Sequence, residues 1–478
     1  MNDNVRRPRD EQRKPFPPAA TRSPALYRNS HIHRGADSPR PYRLHRSGEE
    51  AMTARQRWTI VVASTGGALE VFDFVIYGFF ARSIGAAFFP TGIGASGEML
   101  SFTVLAIGYL SRPIGGIVFG RLGDIYGRRI AFLSSAMIAA VTTFLIGMLP
   151  SYRDWGIGAS ALLVLLRLVQ GLCLGGELPG AVVYAVETAR ARPGLLCGIV
   201  FVAVNLALFA ATCVSLALQR SLTAIQMDAY GWRIGFVIGG AVGLLSFAIR
   251  RRLAESDEYA RTINARNRES LSALFRCHSV RLLSGAGVCF LVGASSGIFI
   301  AYLPSYLQAI HYDQAEITHA QLQYFLAVAL CILVTSHIGD RVPRRYIFRS
   351  GAILTAMFTP WFFFAAARHS FSLSALYVMA GVVASFANGT FACEIAKSFP
   401  LNVRFSCVAT AMNLGLVTAL GLTPLAAHVL EHSFHASPAL VTEACAVLAF
   451  IASFGLTREQ RYSSEIDQNM PSKLSKRP

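Results

Sequence analysis

The chain is a succession of long apolar runs separated by short polar breaks. A helix that crosses the hydrocarbon layer needs about 20 mostly apolar residues. Twelve such runs can be read, and the spacing predicts helices over roughly 57–84, 98–120, 129–149, 158–185, 195–218 and 232–250. A second set follows at roughly 281–303, 321–339, 346–367, 372–394, 405–428 and 437–456. The predicted fold class is therefore an all-α membrane protein, with twelve transmembrane helices in two six-helix bundles. Residues 57–250 form the first bundle and 281–456 the second. Residues 1–56 are polar and rich in Arg and Pro, which predicts a disordered basic extension. The 251–280 linker is too short for a further domain and is expected to hold an amphipathic helix on the membrane surface. Residues 457–478 form a short polar tail.

Composition agrees with the pattern. Hydrophobic residues make up 53% of the chain and charged residues 15%, against about 25% charged in soluble domains. The net charge of +17 raises nucleic acid as a partner, but no basic patch with interleaved aromatics stands in a polar folded region. The cations fall instead in alternate breaks: Arg121, Arg128 and Arg129; Arg250, Arg251 and Arg252; Arg341, Arg344 and Arg345. That is the positive-inside pattern. It places both tails and the linker in the cytoplasm, with a bacterial inner membrane as the expected location and lipid as the surrounding partner. The nine cysteines are scattered, mostly in apolar runs, with no Cys-x-x-Cys and no Cys/His cluster. They read as small buried residues, and neither a disulfide framework nor a metal site is expected.

The two halves repeat. Gly123-Asp124 followed by Arg128-Arg129 matches Gly339-Asp340 followed by Arg344-Arg345. Gly176 matches Gly389, and Ala203-Val204-Asn205-Leu206 matches Ala411-Met412-Asn413-Leu414. The separations are 216, 213 and 208 residues. Three matches in register argue for a duplicated six-helix unit, a plan common among secondary transporters.

The stretch Gly120-Arg121-Leu122-Gly123-Asp124-Ile125-Tyr126-Gly127-Arg128-Arg129 resembles the signature loop of the major facilitator superfamily. Further stretches narrow the resemblance to its metabolite:proton symporters. They are Ala68 to Gly78, Arg167-Leu168-Val169-Gln170-Gly171 with Gly175-Gly176-Glu177, and Phe399-Pro400 with Val403-Arg404, Asn413 and Gly421-Leu422-Thr423-Pro424. Tyr302-Leu303-Pro304-Ser305-Tyr306-Leu307 is most similar to the proline/betaine branch. The resemblance covers about 57–456 and implies proton-driven uptake of a small carboxylate-bearing metabolite or zwitterionic osmolyte. Protons and the solute are the implied partners. No cofactor beyond the proton gradient is implied, and one chain is expected to suffice as the functional unit. The chain departs from the family at Val71-Phe72, where Trp-Tyr is usual, and at Leu178-Pro179, where Trp-Gly is usual.

Glu70 and Asp73 stand three apart in an apolar run and share a helical face. Ionisable groups at membrane depth are costly and mark function. Burial and a neighbouring carboxylate both favour a protonated carboxyl group, so such a pair suits proton loading and release. Glu70, Asp73 and Glu177 are the candidates for proton coupling, against the alternative of structural carboxylates bonded to neighbouring helices. Arg167 and Glu177 lie about 15 Å apart along one helix at 1.5 Å per residue, so each needs a partner elsewhere, and Glu70 or Asp73 would serve Arg167. An Arg in a cavity also clamps carboxylates. Candidate solute contacts are Arg167, Arg112, Tyr77, Asn205, Tyr302, Tyr306, Asn388 and Asn413, with Asn205 and Asn413 expected to face each other across the cavity. Interhelical bonding is the alternative for the asparagines. Asp124 is expected near the start of span 3, favoured by the helix dipole, and pairing with cations of the other half when the cytoplasmic side is closed. Arg128, Arg129, Asp340, Arg344 and Arg345 complete the candidate gate. Gly116 and Gly120 form a Gly-x-x-x-Gly pattern for close helix contact.

Two other function classes compete. A drug-efflux antiporter would carry a Gly-Pro-rich motif in span 5, which Gly198–Leu218 lacks. A non-transporting solute sensor stays as an alternative, although no stretch of the chain resembles a signalling domain. An enzyme is disfavoured, since no P-loop, His-Glu-x-x-His, nucleophile elbow or metal cluster appears. Met52 stands just before the first run and is a candidate native start. Mass spectrometry of the native protein is then expected to begin at Met52, and peptides from residues 6–40 would overturn this.

Overall fold

The computed structural model describes residues 64, 67–68, 71–73, 75–89, 97–188, 192–251, 276–434 and 437–469, with the backbone alone at 432–434 and 457–469. The predicted extension 1–56, Glu70 and most of the 251–280 linker lie outside the described residues. Every regular element among the described residues is helical. The helices are α1 (Val71–Phe79 with Ala81–Phe88), α2 (Gly97–Tyr126), α3 (Arg128–Met148), α4 (Ile157–Thr188), α5 (Pro193–Ser221) and α6 (Ala224–Arg250). The second half supplies α7 (Ser279–Ala309), α8 (Gln314–Gly339), α9 (Arg344–Ala367), α10 (Leu373–Ser398), α11 (Arg404–Glu431) and α12 (Ala439–Asn469). Eleven of these are long and apolar enough to cross a membrane, and the broken α1 makes twelve. The chain is a multi-pass membrane protein.

Several helices outrun the apolar runs that predict them. α2 continues to Tyr126 rather than 120, α8 begins at Gln314 rather than 321, and α12 reaches Asn469 rather than 456. Hydropathy sees only the part of a helix at lipid depth. The polar ends persist because their backbone groups are otherwise satisfied. Asp313, for example, caps α8 by accepting from the Ala315 amide at 2.9 Å.

The halves are built alike. In the first, α2 packs on α4, α3 on α4, and α3 on α6; in the second, α8 packs on α10, α9 on α10, and α9 on α12. Each pair maps onto its counterpart six helices later. The halves meet along α2 with α11 and along α5 with α8, again related by the same shift. Outward faces are apolar: Leu110, Ile114 and Val118 on α2, and Val447, Ile451 and Phe454 on α12, are exposed at helical spacing. Such continuous apolar stripes suit lipid rather than water.

Glycine sets the closest approaches. Gly127 turns the chain from α2 into α3 with φ of 116°, a conformation that β-carbons disfavour. A Cβ on Gly171 would collide with the Gly108 carbonyl, and one on Gly175 with the Arg112 carbonyl, both on α2. Gly116 and Gly120 instead face α11, against Ala409 and Ser406. Their Gly-x-x-x-Gly pattern thus serves the seam between the halves. Gly171→Val is expected to destabilise the fold by about 1–3 kcal/mol through overpacking. Thermal unfolding in detergent checks this, with Gly158→Ala, which meets nothing within 4 Å, expected to leave the melting temperature unchanged.

Candidate functional site

Four helices of the first half converge on one buried guanidinium. Arg167 Nη1 on α4 donates to Asp73 Oδ2 on α1 at 2.8 Å and to Gln170 Oε1 at 2.7 Å. Gln170 Nε2 donates to the same Asp73 oxygen at 2.7 Å and to Thr143 Oγ1 on α3 at 2.6 Å. Arg167 and Gln170 share a face one turn apart, as do Asp73 and Tyr77. The Arg167 guanidinium lies 3.9 Å from the centre of the Tyr77 ring and 5.3 Å from that of Phe236 on α6. A desolvated cation over an aromatic face gains about 2 kcal/mol. The Tyr77 hydroxyl is tied back to the Ser101 carbonyl at 3.2 Å. Arg167 is 1% exposed and Asp73 4%. Three atoms of this knot, Asp73 Oδ1 and Arg167 Nε and Nη2, have no hydrogen-bond partner among the described residues.

Glu177, three turns further along α4, meets Arg250 Nη1 of α6 at 2.9 Å. Arg250 is fully buried, with its guanidinium 4.5 Å from the Phe132 ring centre. The charge pattern had counted Arg250 among the loop cations; the structure corrects this. It is the last residue of α6, and its long side chain turns back into the bundle to reach Glu177. A cavity of about 20 Å³ connects the two pairs, bordered by Asp73, Thr143, Gln170, Glu177 and Arg250. That is room for about one water.

At one end of the bundles the duplicated loop makes two matching clamps. Asp124 stands in the last turn of α2, not at the start of α3 as expected, because α2 runs through the motif to Tyr126. The helix dipole it meets is that of α11 in the other half. Asp124 Oδ1 accepts from the Phe405 amide at 3.2 Å, and Oδ2 accepts from the Ser406 amide at 2.9 Å and the Ser406 hydroxyl at 2.6 Å. These are the free N–H groups of a helix start, where negative charge is favoured. Arg128 backs the clamp, reaching Asp124 at 2.5 Å, Glu187 at 3.1 Å and the Leu401 carbonyl at 2.8 Å. Arg404 joins Glu187 at 3.4 Å. In the second clamp Asp340 accepts from the amides of Gly194 at 2.7 Å and Leu195 at 2.8 Å, at the start of α5, and holds Arg344 at 2.5 Å. Arg129 donates to the Arg251 carbonyl at 2.9 Å, and Arg345 stacks over Tyr346 at 5.1 Å.

The remaining candidates are spread out. Asn413 donates to the Gly175 carbonyl of α4 at 2.8 Å, crossing between the halves from a π-turn of α11. Asn205 donates to Phe201 of its own helix at 2.8 Å. The Asn413 amide thus makes the interhelical bond of the alternative reading, and Asn205 bonds within its own helix. Asn388 bonds Ala384 in its own helix at 2.9 Å. Arg112 and Asn413 border a small cavity between the halves, and the Arg112 guanidinium lies 5.0 Å from the Tyr109 ring centre. Tyr302, in a π-turn of α7, donates to Glu431 and stacks on Tyr306, with ring centres 6.1 Å apart. Sequence reasoning missed Gln170, Arg250, Glu187 and Ser406. Gln170 carried a signal, as a polar residue one turn from Arg167 in an apolar run. Ser406 carried none.

Residues 58–280 match the family described as Sugar (and other) transporter, and residues 285–478 match Major Facilitator Superfamily. A putative proline/betaine transporter of Staphylococcus aureus (strain MSSA476) is 30% identical over 82% of this chain and 86% of its own length. A proline/betaine transporter of Salmonella typhimurium (strain LT2) is 30% identical over 79% of this chain and 78% of its own length. Among solved structures, the proton:xylose symporter XylE bound to 6-bromo-6-deoxy-D-glucose has the same fold. It superposes with a TM-score of 0.66 over 84% of this chain and 94% of that one, at 18% identity.

Asp124→Asn turns one acceptor of a helix-start clamp into a donor. With surface expression unchanged, it is expected to slow transport by about tenfold or more, the worth of one lost charge-assisted bond. Initial rates in vesicles check this, and an undiminished rate would count against the clamp.

Proposed function

The chain belongs to the metabolite:proton symporter family of the major facilitator superfamily and is a secondary transporter, and from that footing we propose that it imports a small carboxylate-bearing or zwitterionic solute together with protons. The observation that carries this reading is the half-used Arg167 guanidinium. Its Nη1 is committed to Asp73 and Gln170, while Nε and Nη2 stay buried without a partner among the described residues. That edge is the fork that binds a carboxylate through two parallel hydrogen bonds. Asp73 is the internal stand-in for such a group. A proton on Asp73 would cancel the charge that competes for Arg167 and leave the guanidinium to the solute carboxylate. Loading of proton and solute would then favour each other, which is what symport requires.

Alternating access follows from the two clamps. With Asp124 and Asp340 both closed on the opposite half, this end of the chain is shut. In the orientation that the alternate-loop cations favour, it is the cytoplasmic end, with both termini on that side. Each clamp is made within one chain, which suits a monomeric functional unit. The names of the relatives favour proline or betaine as the solute. Tyr302, Tyr306 and the second-half asparagines are the proposed contacts that discriminate among solutes, and Glu177 with Arg250 is the proposed second station for the proton.

Proteoliposomes with a radiolabelled panel of proline, betaine, shikimate, 2-oxoglutarate and citrate test the reading. Uptake of one member is expected to collapse with a protonophore. Binding without flux would indicate a sensor, and outward exchange for protons an antiporter. Asp73→Asn is expected to lose gradient-driven accumulation at least tenfold while retaining solute exchange. Full accumulation by that variant would remove Asp73 from the coupling.

A further inference from the structure

The second clamp contains a feature that neither transport nor the duplicated motif requires. α5 meets the second half along three successive turns. Gly194 gives its amide to Asp340, Cys197 lies one turn on, and Phe201 lies one turn further, edge-on to Phe391 of α10 with ring centres 4.9 Å apart. Cys393 stands two residues from Phe391, on the last segment of α10, with its thiol in interaction range of that of Cys197. Both thiols are buried and unoxidised. The two helical segments approach with Cα atoms within 8 Å, and a disulfide forms where Cα atoms lie about 4.4–6.8 Å apart. One cysteine belongs to the first half and the other to the second. They do not come from the repeat, since the first-half position matching Cys393 is Gly180 by the Gly176–Gly389 register.

We propose that Cys197 and Cys393 are a modification site: a dithiol that hydroperoxides oxidise to a disulfide spanning the two halves, locking the Asp340 clamp shut. The lock rests on the alternating-access reading above, whereas the bond itself does not. When the clamp opens, α5 and α10 separate and the thiols meet the solvent on that side. The field of the Arg344 guanidinium reaches both thiols and that of Lys397 reaches Cys393, against the Asp340 carboxylate; cations near a thiol promote the thiolate that reacts. One thiolate attacks the peroxide, the O–O bond breaks, and a sulfenic acid and one water result. On closure the second thiol attacks the sulfenic sulfur, the S–O bond breaks, and a second water leaves. The two thiols lose two electrons and two protons in all, and hydrogen peroxide becomes two waters. The new bond holds the sulfurs about 2.05 Å apart, so the halves cannot separate at this end until a reductant opens it.

The full-length protein in proteoliposomes is treated with hydrogen peroxide, and non-reducing peptide mass spectrometry looks for the peptide that joins Cys197 to Cys393. The expected result is that peptide together with at least a tenfold loss of uptake, both reversed by dithiothreitol. Cys197→Ser and Cys393→Ser are each expected to keep untreated uptake and to resist peroxide. Absence of the joined peptide in the wild-type chain would overturn the site whether or not a transported solute has been identified. Its presence with unchanged uptake, or equal peroxide sensitivity in both serine variants, would overturn the lock.

Discussion

Hydrocarbon cannot solvate charge, and that constraint organises the first bundle. Taking one ion out of water costs several kcal/mol unless a partner and further hydrogen bonds replace the water. Asp73 therefore finds Arg167, Glu177 finds Arg250, and Asp124 finds Arg128 together with the amides of α11. Each pairing joins different helices or joins the halves, so electrostatics fixes which helices are neighbours. α4 is the common member. It supplies Arg167, Gln170, Glu177 and Glu187 on its buried side, and its glycines let α2 lie against it closely enough to exclude water. Pairs held this way suit coupling. Protonating one member leaves the other uncompensated in a low-dielectric site, so a single proton can shift the conformational balance by several kcal/mol.

The clamps obey the same physics in a gentler form. A carboxylate on the free amides of a helix start is well bound while water is excluded. Both sides are readily solvated once water enters. Asp124 on the amides of α11 and Asp340 on those of α5 are therefore held without a stranded charge. Their symmetry follows from duplication. A motif that caps a helix of the other half in one repeat does the converse in the second. Backing differs between them: Arg128 is tied to Glu187 as well, whereas Arg344 lies beside the Cys197–Cys393 pair.

Aromatic rings pack the interior of the second bundle. Phe299 meets Tyr324 and Phe362 at ring-centre distances of 5.9 and 5.3 Å, and Tyr377 meets Tyr324 and Phe362 at 6.1 and 5.7 Å. Such rings offer wide contact and quadrupole faces at little entropic cost.

The sequence by itself determined the helices, their number and the duplication, because a membrane-spanning helix announces itself by continuous apolarity and local backbone bonding. It also marked Asp73, Arg167 and Glu177, since an ionisable residue in an apolar run has no cheap null environment in lipid. Their partners were a matter for tertiary structure. Arg250 looked like a loop cation because its position lies at the end of an apolar run, and only the packing of α3, α4 and α6 shows its side chain turned inward. Asp124 stood out as part of the duplicated motif, yet its partners are backbone amides of α11, which every residue type but proline carries and no pattern reveals. Asn413 likewise reaches a backbone carbonyl on α4. Local chemistry is written along the chain, but a contact between segments more than two hundred residues apart depends on how the two bundles meet, and that is decided only when they pack.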